Sequence, residues 1–160
     1  MPPSRGSVLE ETPVRDIMEA LEPRDFPRSA GKKPAVLRIL VVDDEPLIRW
    51  SVAETLTERG YEVVQTGDAS GARAAMREAN AFDVVLLDYR LPDNDDLSLL
   101  ASIRRAAPQA QVIMMTAFGR PDVVHAALAL GAYRVVGKPF EMQAIADLVT
   151  EAAGFNRETH

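Results

Sequence analysis

ILVVDDEP, residues 39–46, decides how this chain is to be read. Four apolar residues, Ile39 to Val42, run straight into Asp43, Asp44 and Glu45, and Pro46 follows. An unbroken aliphatic run of this length suits a strand covered on both faces, as in a parallel sheet between layers of helices. The acids that end it repel one another, and each raises the cost of ionising the next. A strand that ends in packed negative charge implies a cation.

Working outward, apolar runs of strand length recur at 36–42, 61–66, 82–87, 111–115 and 133–137. Segments with helical spacing lie between them. Ile48, Val52 and Leu56 mark the first, ended by Gly60. Ala72, Ala75, Met76 and Ala79 mark the second, with Asp68 as its cap. Leu97, Leu100 and Ile103 mark a third, stopped before Pro108. The fourth starts at Pro121 and ends at Gly131, a C′ glycine, and the fifth runs from about Glu141 to Ala153, closed by Gly154. This alternation predicts an α/β fold, a doubly wound (βα)5 domain over residues 35–154 with 155–160 as a tail.

Composition narrows the rest. At 160 residues the chain has room for one ordinary domain and a modest appendage, and 47% apolar with 26% charged residues is usual for a soluble protein. It has no cysteine, which excludes disulfides and thiolate metal sites. Its apolar runs fall far short of the ~20 residues of a membrane helix, and residues 8–9 do not make the apolar region of a signal peptide. A cytoplasmic protein that does not enter membranes is expected. The net charge of −6 lies wholly in residues 35–160, a balance that disfavours direct nucleic-acid binding and suits a cation. Residues 1–34 are neutral in sum and rich in proline. Thr12 and Pro13 open an amphipathic helix over 13–22 through Val14, Ile17, Met18 and Leu21, followed by a linker from Arg24 to Pro34. That helix packs on its own domain, frays in solution, or serves docking or homodimer formation.

In open parallel α/β sheets, ligands bind beyond the carboxyl ends of the strands. The first strand ends in Asp43 and Asp44, the third in Asp88, the fourth in Thr116 and the fifth in Lys138-Pro139. Three carboxylates, a hydroxyl and an ammonium therefore converge at one rim. Oxygen ligands without His or Cys favour a hard ion, and Mg²⁺ fits best. The set has the makings of half a phosphoryl-transfer site: the metal and Lys138 neutralise phosphoryl oxygens, Thr116 donates to one, and a carboxylate is a competent nucleophile toward phosphorus.

VVDD (41–44), LLDYRLPD (86–93), MTAFG (115–119) and GAYRVVGKPF (131–140) resemble the receiver domain of two-component response regulators, over about residues 36–153. IRWSVAETL (48–56), TAFG and GAY are most similar to receivers attached to sigma-54-dependent, NtrC-type activators. The resemblance implies a flavodoxin-like sheet in the order 2-1-3-4-5 and a phosphoryl group taken from a histidine kinase or a histidine phosphotransfer protein. By position it implies Asp88 as phosphoacceptor. Asp44, Asp88 and the backbone carbonyl of Arg90 would bind Mg²⁺ directly, with Asp43 acting through a metal-bound water. Thr116 and Lys138 would take the phosphoryl oxygens, Lys138-Pro139 would be a cis bond, and the small Ala117 would leave room for donor and water.

Two positions depart from the family. Many receivers carry Tyr or Phe three residues before the lysine, where its rotation, with that of the threonine, reports phosphorylation; here the pair is Thr116 and Val135. Asp96 stands where the family usually has glycine, and Asp93, Asp95 and Asp96 read as solvated loop plus helix cap. His125 reads as a surface histidine, and Trp50 as either core edge or kinase-docking face. After the fifth helix only GFNRETH remains, with no room for an output domain. This and the 34-residue leader favour a single-domain regulator, with no turnover activity beyond its own phosphorylation and dephosphorylation, over a fragment of a larger activator. A haloacid-dehalogenase-type phosphatase is disfavoured, since Arg90 stands two past Asp88 where that family has its second aspartate. A flavodoxin-like cofactor binder lacks its phosphate loop. A pseudo-receiver used only for interaction stays open, chiefly because of Val135.

Overall fold

The computed structural model describes residues 36–78 and 81–158. The expected helix over 13–22, the linker to Pro34 and Ala79 lie outside the described residues. Strands and helices alternate: β1 (Arg38–Val42), α1 (Pro46–Glu58), β2 (Glu62–Thr66), α2 (Ala69–Met76), β3 (Val84–Asp88), α3 (Ser98–Ala106), β4 (Gln111–Thr116), α4 (Pro121–Ala129), β5 (Arg134–Gly137) and α5 (Met142–Glu158). The sheet is parallel throughout, in the order β2-β1-β3-β4-β5. This is the doubly wound order 2-1-3-4-5.

The three central strands read as unbroken apolar runs because both of their faces are covered. Leu40, Val42, Val85, Leu87, Val112 and Met114 pack on one side with Leu99, Leu100 and Ile103 of α3 and the alanines of α2. Ile39, Val41, Val84, Leu86, Ile113 and Met115 pack on the other with Val52 and Leu56 of α1 and Ile145 and Val149 of α5. The period-2 alternation of a strand sorts neighbouring residues into these two cores. β2 and β5 are the edges, and their apolar residues are half-buried.

Helix ends follow local chemistry. Asp68 caps α2, its side chain accepting from the Gly71 N–H at 2.7 Å. Pro46 and Pro121 stand at the first turns of α1 and α4, where a missing N–H costs nothing. Gly60 and Gly131 follow α1 and α4 at φ +89° and +104°. After α4, Ala132 N–H donates to the Ala127 carbonyl and Gly131 N–H to that of Leu128, both at 3.0 Å. That is a Schellman closure.

Gly154 is a correction. It does not end the fifth helix, which continues to Glu158. Glycine weakens a helix interior by roughly 1 kcal/mol without forbidding it, and here the next residue repays the extension: the Phe155 ring lies 5.7 Å from that of Tyr133.

Two glycines that read alike in sequence should therefore respond oppositely to alanine. At Gly131 an added Cβ would lie 2.8 Å from Arg104 Nε on a left-handed backbone, so Gly131→Ala should lower unfolding free energy by about 1–2 kcal/mol. At Gly154 an added Cβ meets nothing within 4 Å, so Gly154→Ala should raise it by about 0.5–1 kcal/mol. Urea titrations of both variants check the pair.

Candidate phosphoacceptor site

Register brings the rim together. Val42 pairs with Leu87, so Asp43 and Asp88 follow at one level, and Thr116 pairs with Gly137, which puts Lys138 one step beyond. Lys138 N–H also donates to the Thr116 carbonyl at 2.8 Å, and the Lys138–Pro139 peptide bond is cis. The strands thus carry Asp88, Thr116 and Lys138 into one cleft of about 580 Å³, lined also by Asp44, Glu45, Arg90, Phe118 and Arg120, with buried Asp43 in contact with Lys138.

Asp43 is fully buried. Its Oδ1 accepts from the Glu45 N–H at 2.9 Å, and its backbone carbonyl accepts from Arg49 Nη1 at 2.7 Å. Its Oδ2 is sealed from solvent and meets Lys138 Nζ as an ion pair at 2.9 Å, without a well-directed hydrogen bond. The same ammonium donates to Glu45 Oε1 at 2.8 Å and to Asp88 Oδ2 at 3.2 Å. One lysine therefore holds three carboxylates. Asp88 Oδ1 accepts from the Arg90 N–H at 3.3 Å.

Two opposing shifts follow. Burial, then the negative charge of Asp43, pushes the Asp88 carboxyl up to about 6, against the pull of Lys138 and the Arg90 N–H. Burial works against the Lys138 ammonium, but its hydrogen bond to Glu45, its close contact with Asp43 and the charges of Asp88 and Asp43 overcome it and hold its pKa above the ordinary value. The lysine stays charged, and the acceptor carboxylate is ionised at neutral pH at some cost.

Glu45 is the residue that the sequence reading did not place in the site. Carboxylate oxygens of Asp43, Glu45 and Asp88 lie within 4.8 Å of one another, a group able to hold a metal ion, whereas Asp44, on the wall of the same cleft, is not one of that group. The signal was present in Glu45-Pro46: a proline at the first turn makes Glu45 the N-cap, a position glutamate fills poorly. Its side chain makes no capping bond. Thr116 is buried, and its hydroxyl is engaged with the backbone of Phe118, accepting from the N–H at 3.2 Å.

Residues farther out sort simply. Val135 is half-buried against the α2–α3 side of the core. Trp50 is 56% exposed, which puts it on the surface, and His125 is exposed on α4. Asp96 accepts from the Ser98 N–H at 2.9 Å, next to the start of α3. Asp93 does something the sequence did not disclose: its two oxygens accept from the Ala69 and Ser70 N–H groups at 2.8 and 3.0 Å, tying the loop after Asp88 to the start of α2. Those bonds hold the Asp93 carboxyl below the usual range.

With this geometry the comparisons agree. The family model of the response regulator receiver domain matches residues 39–150. The chain belongs to the response regulator receiver family. It is 30% identical over 135 residues to the chemotaxis protein CheY of Treponema pallidum, covering 79% of this chain and 94% of that protein. It is 34% identical over 116 residues to the response regulator protein FleR of Pseudomonas aeruginosa, covering 72% of this chain but 24% of FleR, which agrees in part with the resemblance to receivers of larger activators. A CheY-like receiver structure from Methanospirillum hungatei superposes with a TM-score of 0.75 at 27% identity, over 79% of this chain and all of that one.

This is thus a signalling module of two-component systems, a family whose receivers bind Mg²⁺ in an acidic pocket and interact with histidine kinases or phosphotransfer proteins. The residues present fit the ion: the donors are hard oxygens, three carboxylates converge, and buried Asp43 Oδ2 has no directed hydrogen bond. Among the described residues no helix is long and apolar enough to cross a membrane.

The raised Asp88 value has a sign. A carboxyl whose folded pKa exceeds its unfolded one favours folding at low pH, and that contribution is lost as pH climbs from about 4 through about 6. Asp88→Asn, which leaves Lys138 paired with Asp43 and Glu45, should stabilise the metal-free domain by about 1–3 kcal/mol near pH 7.5. The gain should shrink below about pH 6 and vanish near pH 4. Chemical denaturation in chelator across this range reads it.

Proposed function

We propose that this receiver accepts a phosphoryl group on Asp88 from a phosphohistidine donor and acts by protein docking, with residues 1–34 as an extension to the domain. The observation that carries the reading is Lys138 Nζ held between Asp43, Glu45 and Asp88 at the carboxyl rim of the sheet. An Asp88 oxygen attacks phosphorus, the P–N bond breaks, and the imidazole leaves with the electron pair.

Asp44, Asp88 and the Arg90 carbonyl would hold Mg²⁺, with Asp43 behind a water. The ion would supply charge neutralisation for the phosphoryl oxygens. Lys138 turns its charge to the same oxygens, Thr116 leaves its Phe118 contact to donate to one, and Ala117 keeps the approach open. A domain that begins near residue 35 and a chemistry limited to the protein's own phosphorylation and dephosphorylation belong to the same reading. The downstream partner would be a protein that distinguishes the two states. Val135, unable to swing as an aromatic does, favours one alternative, a docking module that works without phosphate.

Intact-mass spectrometry after incubation with Mg²⁺ and acetyl phosphate separates the two. The proposal expects one added phosphoryl group, lost without Mg²⁺ and in Asp88→Asn. No addition to folded protein would overturn it in favour of the docking module.

A further inference from the structure

Glu45 occupies the N-cap of α1 and makes no capping bond from its side chain. Its carboxylate instead reaches across the cleft to the far end of the sheet, 93 positions along the chain, and accepts from Lys138 Nζ at 2.8 Å. This is the shortest of the three contacts that Lys138 makes in the cluster. The partners differ in setting. The Asp43 and Asp88 side chains are 0% and 7% exposed, Lys138 is 10% exposed, and Glu45 is 56% exposed. The ammonium is therefore shared between two sealed carboxylates and one that stands in water.

Charge balance gives the sharing a consequence. Three carboxylates against one ammonium leave an excess of negative charge, so Lys138 and a divalent cation are rival counter-charges for the same oxygens. Whatever draws the ammonium toward solvent lowers its hold on Asp43 and Asp88. Glu45 is placed to do this, and its exposure makes the contact easy to break when Lys138 turns to a phosphoryl oxygen.

We propose that Glu45 is a positioning residue for Lys138, drawing the ammonium to the solvent edge of the acid cluster so that a divalent cation can compete for Asp43 and Asp88. The inference rests on the phosphoacceptor reading of the site. In Glu45→Gln the ammonium settles wholly on the two buried carboxylates, and the site becomes harder for Mg²⁺ to enter. Helix α1 loses no capping bond in that variant, so the fold is expected to keep its melting temperature.

Calorimetric titration of Mg²⁺ into the full chain, Glu45→Gln, Lys138→Met and the double variant tests this. Glu45→Gln should weaken Mg²⁺ binding roughly three- to tenfold, in the lower part of the range of couplings between contacting groups. In the Lys138→Met background the same substitution should cost clearly less, because the residue it acts through is gone and only the screened attraction of an exposed carboxylate for the cation remains. An equal loss in both backgrounds would make Glu45 a direct metal ligand and overturn the inference. So would unchanged or tighter binding in Glu45→Gln alone.

If Lys138→Met fails to fold, Ca²⁺ replaces the double variant as the discriminator. Competition through Lys138 weakens Ca²⁺ and Mg²⁺ by the same factor, whereas a lost ligand changes their ratio, since the two ions differ in coordination number. A wild-type chain that binds no Mg²⁺ would instead overturn the phosphoacceptor reading, a result distinct from all of these.

Discussion

One ammonium in contact with three carboxylates sets the terms for the rest of this molecule. Lys138 lies within 2.8 to 3.2 Å of Asp43, Glu45 and Asp88, two of which are buried. Buried carboxylates close together cannot all ionise without a counter-charge. The lysine supplies it, and its own charge is protected by the acids it serves. The raised Asp88 value and the raised Lys138 value are two faces of this mutual dependence: the cluster is short of positive charge, so a proton or a cation is welcome at the acid, and the lysine holds its proton firmly.

The fold serves that cluster by direction. Five parallel strands point their carboxyl ends the same way, so residues scattered from Asp43 to Lys138 arrive at one rim. Each charged residue sits one step past a run that is buried on both faces or half-buried at the edge, and the runs hold the register that sets their level. Burial of Asp43 and Asp88 strengthens their electrostatic contacts and makes an unpaired charge there costly. Structure and chemistry are therefore linked through burial: the same apolar layers that stabilise the sheet raise the energy of the Asp88 carboxylate.

Most of the fold was legible because it rests on short-range patterns. Continuous aliphatic runs for the central strands, helical spacing between them, and Asp68, Gly60, Pro121 and Gly131 as punctuation all reappear in the structure. Gly154 did not behave as punctuation, since a helix stops only when nothing beyond it rewards continuation, and Phe155 against Tyr133 is a tertiary reward. In the site, Asp43, Asp88, Thr116 and Lys138 were legible as strand endings. Glu45 was visible as a third acid but not as a member of the cluster. Asp93 read as a loop residue, yet it holds the N-terminus of α2.

By itself the sequence determined what depends on neighbours along the chain: which runs become strands, where helices begin, and which residue types stand at the strand ends. The implied strand order came with the resemblance. Only the tertiary structure decided which charges touch. Asp44 and Glu45 are adjacent in the chain and both line the cleft, and nothing local says that the second turns to Lys138 while the first stays out of the cluster. That choice depends on where α1 leaves β1 and where β5 delivers its lysine, and both are set by packing of helices on a sheet whose strands are far apart in sequence. Coulomb energy falls with distance in space. The chain's order carries no measure of that distance until the sheet has formed.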